Sequence, residues 1–160
     1  LGGARSVVSV DGAAPASEAS VANFRLNGLR AFPHEAVTRD AFEYLEEAAR
    51  SGRDFDLVIS DPPSFAKSRA QLKAAEKAYR RLTALGLAVT RPGGLYAAAS
   101  CTSQVSPEAF RQVLADACRK QRVRLQIVHD IGQPLDHPVL AAHPEGRYLK
   151  FVVGRVLPQD

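Results

Sequence analysis

No methionine occurs anywhere in the 160 residues. The chain opens on Leu1-Gly2-Gly3-Ala4, which reads as the end of a helix rather than a protein start, so a fragment or excised domain is expected. Cysteine is scarce as well. Cys101 and Cys118 are the two present, and their separation fits neither a zinc site nor a disulfide framework, so both are expected as reduced thiols. No run of about 18 apolar residues exists, which excludes a membrane-spanning helix. The first residues also lack the basic and apolar regions of a secretory leader. Repeats, low-complexity tracts and flexible linkers are missing too. These absences lead to the expectation of a soluble, cytoplasmic chain with no membrane partner.

What is present suits one compact domain spanning residues 1–160, with 46% hydrophobic and 24% charged residues. The net charge is +4, carried by 16 Arg and 5 Lys. A basic surface of this size fits an RNA partner, because neutralising phosphates supplies sequence-independent affinity. It fits an ordinary solvated Arg-rich surface equally well.

Along the chain, Val7-Val8-Ser9-Val10 reads as a strand closed by Asp11-Gly12. A helix is expected from about Ala16 to Leu29, with Ser17 as its cap and Gly28 as its stop. A weak strand from about His34 to Arg39 leads to Asp40, which can cap a helix over residues 41–50 that Gly52 ends. Phe55-Asp56-Leu57-Val58-Ile59-Ser60 is a short apolar run of the kind that forms a buried parallel strand. A long helix from about Arg69 to Thr90 is stopped by Pro92-Gly93-Gly94, and residues 95–99 form the next strand. Ser106-Pro107-Glu108 starts a helix to about Gln121 with a cap, a first-turn proline and a first-turn acid. Strands over residues 124–129 and 148–156 flank a Pro-, Gly- and His-rich loop. The alternation predicts an open, mostly parallel sheet covered on both faces. No helix separates the last two strands, so they are expected to pair antiparallel.

In such sheets ligands bind beyond the carboxyl ends of the strands. Asp11, Asp40 and Asp61 all stand there. An acid after the second strand of this fold can accept hydrogen bonds from ribose hydroxyls, and one after the third from an adenine amine. Taken singly, each reads first as a turn former or helix cap, and it is their matching placement that favours the ligand reading. Asp61-Pro62-Pro63-Ser64-Phe65 is more specific: two prolines withdraw two backbone donors, so the chain leaves the strand as a rigid edge of carbonyls. Phe65 can then stack on a base or belong to the core. The segment resembles the Asp/Asn-Pro-Pro-aromatic motif of amine methyltransferases, with Ser64 inserted. Lys67 and Arg69 follow, placed to meet phosphates or to start a solvated helix.

Cys101, in Ser100-Cys101-Thr102-Ser103, ends the strand next to the proline motif. A thiolate there could add to C6 of a cytosine and make C5 nucleophilic. Position alone favours a small, inert, buried thiol instead. Cys118, among Val113, Leu114 and Ala117, reads as core. His34, His129 and His143 read as surface or loop residues. His137, in Asp136-His137-Pro138, reads as turn chemistry, although it could lie at the mouth of a site.

From about Leu1 to Leu157 the chain resembles the catalytic domain of bacterial large-subunit ribosomal RNA cytosine-C5 methyltransferases of the RlmI type. The resemblance rests on Ser9-Val10-Asp11, Asp40-Ala41-Phe42, residues 55–59 running into Asp61-Pro62-Pro63-Ser64-Phe65-Ala66-Lys67-Ser68, and Pro92-Gly93-Gly94. Ser100-Cys101, Asp136-His137-Pro138, Pro144-Glu145 and Tyr148-Leu149-Lys150 complete it. It implies a Rossmann-like class I methyltransferase fold, mostly parallel with an antiparallel last strand, and S-adenosylmethionine as cofactor. It further implies that Asp11 binds the ribose, that Asp40 and Ala41 hold the adenine, and that Asp61 and Pro62 border the methionine end and the target base. Pro63, Ser64, Phe65 and Lys67 would line the substrate, and Cys101 becomes the nucleophile, with Asp61 beside it in the catalytic site. Ribosomal RNA is the implied partner, and a homodimer is allowed for.

The family's first strand and glycine-rich loop have no counterpart here, so the domain is expected to be N-terminally truncated, to bind cofactor weakly and to be inactive alone. A related subgroup methylates guanine N7, and exocyclic-amine chemistry also suits the Asp-Pro-Pro segment. Two other readings stand beside these: a Cys101-His137-Asp136 hydrolase, disfavoured by the adjacency of its acid and histidine, and a non-catalytic Rossmann-like module binding RNA or protein.

Overall fold

The computed structural model describes residues 2–143 and 146–159. Leu1 and the Pro144-Glu145 pair of the resemblance lie outside them. The chain forms two compact units, the first running through Ala48 and the second from Ala49 onward.

The first unit begins with β1 (Val7–Asp11), α1 (Ala14–Leu26) and β2 (His34–Thr38), followed by α2 (Ala41–Arg50). β1 and β2 pair in parallel, from Val7 opposite His34 to Asp11 opposite Thr38. Helix α1 starts earlier than expected. Its cap position is Ala13, a proline occupies the first turn, and Ser17 is a buried interior residue rather than the cap. The preset φ of Pro15 makes it a natural first-turn residue. Gly28 stops the helix as expected, at φ +74°, a conformation that costs glycine little. His34 departs from its surface reading: it stacks on Phe24 with ring centroids 3.8 Å apart and bonds Ser9 Oγ through Nε2 at 3.0 Å.

In the second unit β3 (Phe55–Ser60) leads through a 3-10 turn (Arg69–Gln71) to α3 (Leu72–Ala88). β4 (Thr90–Ser100), α4 (Pro107–Gln121), β5 (Val123–Ile131) and β6 (Lys150–Pro158) follow. The strand order is β3-β4-β6-β5. β3 and β4 are parallel, while β6 runs antiparallel to both β4 and β5. The last strand is therefore inserted antiparallel, as the missing helix between β5 and β6 requires. β4 begins at Thr90, before the Pro-Gly-Gly stop rather than after it. Phe55 pairs with Thr90 and Leu57 with Leu95, so residues 91–94 bulge out of the ladder, with Gly93 at φ +81°.

Helices α3 and α4 pack on each other against one face of this sheet, around Tyr79, Tyr96, Phe110, Val113 and Val152. Neither α3 nor α4 lies on the opposite face of this sheet. There Leu57, Ile59 and Ile131 are exposed, and Leu95, Phe151 and Val153 half-buried. The apolar run of β3 thus belongs to an outer strand of its sheet. Among the described residues no helix is long and apolar enough to cross a membrane.

Candidate active site

In the first unit the parallel register brings Asp11 and Asp40 out of the same sheet edge. The Arg39 amide donates to the Asp11 carbonyl at 2.9 Å. Asp11 Oδ1 accepts from the Ala13 amide at 2.7 Å, and Asp40 Oδ1 accepts from the Phe42 and Glu43 amides at 2.9 and 3.1 Å. Both acids therefore do the structural work of turn and cap. A carboxylate has about four lone-pair sites, so these contacts leave each able to accept from a ligand. Ala41 is the first residue of α2, and an amide in that position has no intrahelical acceptor.

In the second unit Ser60 pairs with Ala98. Parallel pairing carries Asp61-Pro62-Pro63 and Ser100-Cys101-Thr102 out of the same edge. Asp61, Pro63 and Lys67 are exposed, and Pro62, Phe65 and Cys101 half-buried. The Lys67 amide donates to Gln71 Oε1 at 2.8 Å. Phe65 sits edge-on to Tyr79 with centroids 4.7 Å apart and packs against the core. Its ring is shared between core and edge.

Thr102 ties the two segments together. Ser64 Oγ donates to the Ala66 carbonyl at 3.0 Å and lies 3.1 Å from Thr102 Oγ1, while Tyr79 OH lies 2.7 Å from Thr102 Oγ1. Each hydroxyl has one proton. Since a carbonyl only accepts, Ser64 spends its proton on Ala66. Thr102 must then donate to Ser64, and Tyr79 must donate to Thr102. The directed chain from Tyr79 to Ala66 fixes the Pro63-Ser64-Phe65 segment against the Cys101 segment. On the other side, Lys150 Nζ donates to the Thr102 and Tyr148 carbonyls at 2.6 and 2.7 Å. Burial pushes this ammonium down to about 8, and the Cys101 charge opposes the fall.

Thr102, Tyr79 and Lys150 were not singled out by sequence reasoning. Their signals were available, since Thr102 adjoins Cys101 and Lys150 ends the Tyr148-Leu149-Lys150 stretch, but burial gives them their weight. Cys118 is core, and burial raises its thiol pKa. Asp136 Oδ1 and His137 Nδ1 are 3.1 Å apart and exposed, and their hydrogen bond lowers the carboxyl pKa. Among the described residues no hydrogen bond joins this pair to Cys101. No group of three metal-ligating side chains occurs among them either.

No family model matches the chain. It is 38% identical over 93% of its length to ribosomal RNA large subunit methyltransferase I of Photobacterium profundum. It is 35% identical over 98% of its length to the protein of that name from Yersinia pestis. The chain spans about two fifths of these relatives, 38% and 40% of their lengths. A solved methyltransferase complexed with SAH matches 96% of this chain and 40% of its own, with TM-score 0.81 and 29% identity. An S-adenosylmethionine-dependent methyltransferase from Streptococcus mutans matches 96% and 39%, with TM-score 0.81 and 28% identity.

The parallel pairs, the inserted antiparallel strand and these matches define a class I S-adenosylmethionine-dependent methyltransferase fold. Within that class, the chain is similar to a segment of the ribosomal RNA large subunit methyltransferase I proteins.

Proposed function

We propose that this chain supplies the base-binding and nucleophilic part of an S-adenosylmethionine-dependent RNA methyltransferase acting on C5 of a cytosine in large-subunit ribosomal RNA. The observation that carries the reading is the pinning of Cys101, half-buried at the end of β4, to the Asp61-Pro62-Pro63 edge through Thr102 and Ser64. The relatives' name supports ribosomal RNA as substrate, and a cytoplasmic location follows from that substrate. That the two units belong to one methyltransferase domain is part of the proposal, supported by relatives that align along nearly the whole chain.

Each unit, taken by itself, offers groups that suit part of the cofactor. In the first unit, Asp11 has acceptor capacity for a ribose diol, and Asp40 for the adenine amine. The Ala41 amide can donate to a ring nitrogen. In the second unit, Asp61 and Pro62 border the methionine end. When bound, the cofactor supplies an electrophilic methyl group on a sulfonium. Pro63, Ser64 and the open part of the Phe65 ring form the wall for the base, and Lys67 meets the adjoining phosphate.

Cys101 acts as follows. Its thiol gives its proton to solvent, and the sulfur bonds to C6 of the cytosine, shifting an electron pair toward C5. C5 takes the methyl group, leaving a neutral thioether behind. The C5 proton then passes to a base, the C6–S bond breaks and the thiolate is released. Asp61, an acceptor-only carboxylate on the same edge, accepts from the cytosine exocyclic amine and is our candidate for the base. In the full-length protein, Cys101→Ala should abolish methyl transfer to cytosine. Unchanged turnover would contradict the reading and point to guanine N7 or amine chemistry at Asp61-Pro62-Pro63.

A further inference from the structure

The second unit carries the positive charge of the chain. Residues 1–48 hold 4 Lys and Arg against 7 Asp and Glu, whereas residues 49–160 hold 17 against 10. Part of that charge is neutralised locally. Arg80 and Arg119 meet Asp116, Arg91 meets Asp56 and Arg111 meets Asp130. Lys67, Arg69, Lys73 and Lys77 differ: all four are exposed, and among the described residues none has a carboxylate partner.

These four cations follow one path. Lys67 lies on the exit from the Asp61-Pro62-Pro63 edge, Arg69 opens the 3-10 turn, and Lys73 and Lys77 stand on α3. Ala75, Tyr79 and Leu82 are buried on the inner face of that helix, so positions 73 and 77 fall on its opposite side. Four residues of helical rise set these two about 6 Å apart along the axis, close to the separation of successive phosphates in an extended RNA strand.

In the protein alone this arrangement is unfavourable. Like charges four residues apart on a helix repel, and a cation in the first turn opposes the helix dipole. Helix α3 has Lys73 in its first turn and no acid there, while α2 and α4 carry Glu43 and Glu108. Elsewhere the chain interleaves its charges, as where Arg39 pairs with Glu43 and Glu47. A polyanion relieves the repulsion of the row and gains affinity from it, because each neutralised phosphate releases counterions.

We infer that Lys67, Arg69, Lys73 and Lys77 form a phosphate track along α3 that holds the single-stranded RNA backbone flanking the target base. The inference deepens the reading of an RNA substrate and rests on it, extending the contact at Lys67 away from the base.

The test is a salt titration of RNA binding by the full-length protein without S-adenosylmethionine. The probes are an oligouridine with one central cytosine and its all-uridine counterpart. Lys73→Gln/Lys77→Gln should weaken binding about tenfold and make the slope of log affinity against log salt shallower by about 1.4, or about 0.7 for each lost phosphate contact. Both probes should show this change, because the contacts are to phosphates rather than bases. Lys73→Arg/Lys77→Arg should keep the affinity. Arg25→Gln/Arg30→Gln, which removes the same charge from two exposed positions of the first unit, should leave affinity and slope unchanged. Equal losses in the two glutamine variants would reduce the effect to net charge and overturn the inference. So would an unchanged slope in Lys73→Gln/Lys77→Gln. The melting temperature of that variant should hold or rise, since a repulsion is removed; a fall would assign the row to stability instead and overturn the track. Failure of the cytosine assignment shows itself as turnover in Cys101→Ala and leaves these slopes untouched. A wild-type protein that binds neither probe would contradict the RNA reading and the track with it.

Discussion

Thr102 is fully buried, and its hydroxyl receives one hydrogen bond, donates another and sits one peptide from the proposed nucleophile. Replacing it with valine keeps the shape but strands the Tyr79 hydroxyl, whose residue is 2% exposed. Thr102→Val should therefore cost about 1–3 kcal/mol in urea unfolding, the penalty for an unsatisfied buried donor. A loss of only a few tenths would show that the directed chain is not a structural tie. At this scale the sequence was informative about Asp40 and Ser106. Asp40 caps α2, and the Ser106 side chain accepts from the Ala109 amide at 3.1 Å, because a cap is decided within three or four residues. It was silent about Lys150 and misleading about His34. Their environments come from chain segments 48 and 10 residues away, Thr102 and Phe24, and residue type alone argues for exposure.

Elements were legible where local patterning and chain logic agree. The short apolar run marked β3, and the lack of a helix between β5 and β6 dictated their antiparallel pairing. The start of β4 was hidden because Pro92-Gly93-Gly94 is a breaker by composition, while pairing of Thr90 with Phe55 outweighs it on the other side of the bulge. The packing of α3 on the sheet depends on a glycine that no periodicity reveals. A Cβ at Gly86 would overlap the Tyr96 ring, and both residues are buried. Gly86→Ala should destabilise the chain by about 1–3 kcal/mol through overpacking, despite the better helix propensity of alanine. A neutral or stabilising effect in denaturant titration would contradict this close approach of helix and strand.

Across the whole molecule, Lys150 also leaves a signature in pH dependence. Its folded value of about 8 lies below the ordinary 10.5, so between those values the unfolded chain holds a proton that the folded chain has released. Stability then rises with pH: the penalty is full below about 8 and is relieved toward 10.5. The difference in unfolding free energy between wild type and Lys150→Met should move in favour of wild type across that window, which isolates Lys150 from other titrating groups. A pH-independent difference would contradict the burial of a charged lysine.

The fold class was legible because the sense of each strand pair follows from the connection between them, and connections are written along the chain. The chemistry was less so, because Cys101 taken alone looks like any small buried thiol. Its meaning comes from the shared edge with Asp61 and from the network around Thr102. The most direct test is a trapping experiment with the full-length protein, S-adenosylmethionine and ribosomal RNA carrying 5-fluorocytosine, in which fluorine at C5 blocks the final elimination. A stable protein–RNA adduct whose cross-linked residue is Cys101, absent in Cys101→Ala, is the predicted result. Methylated RNA without any adduct, or an adduct that persists in Cys101→Ala, would contradict the account.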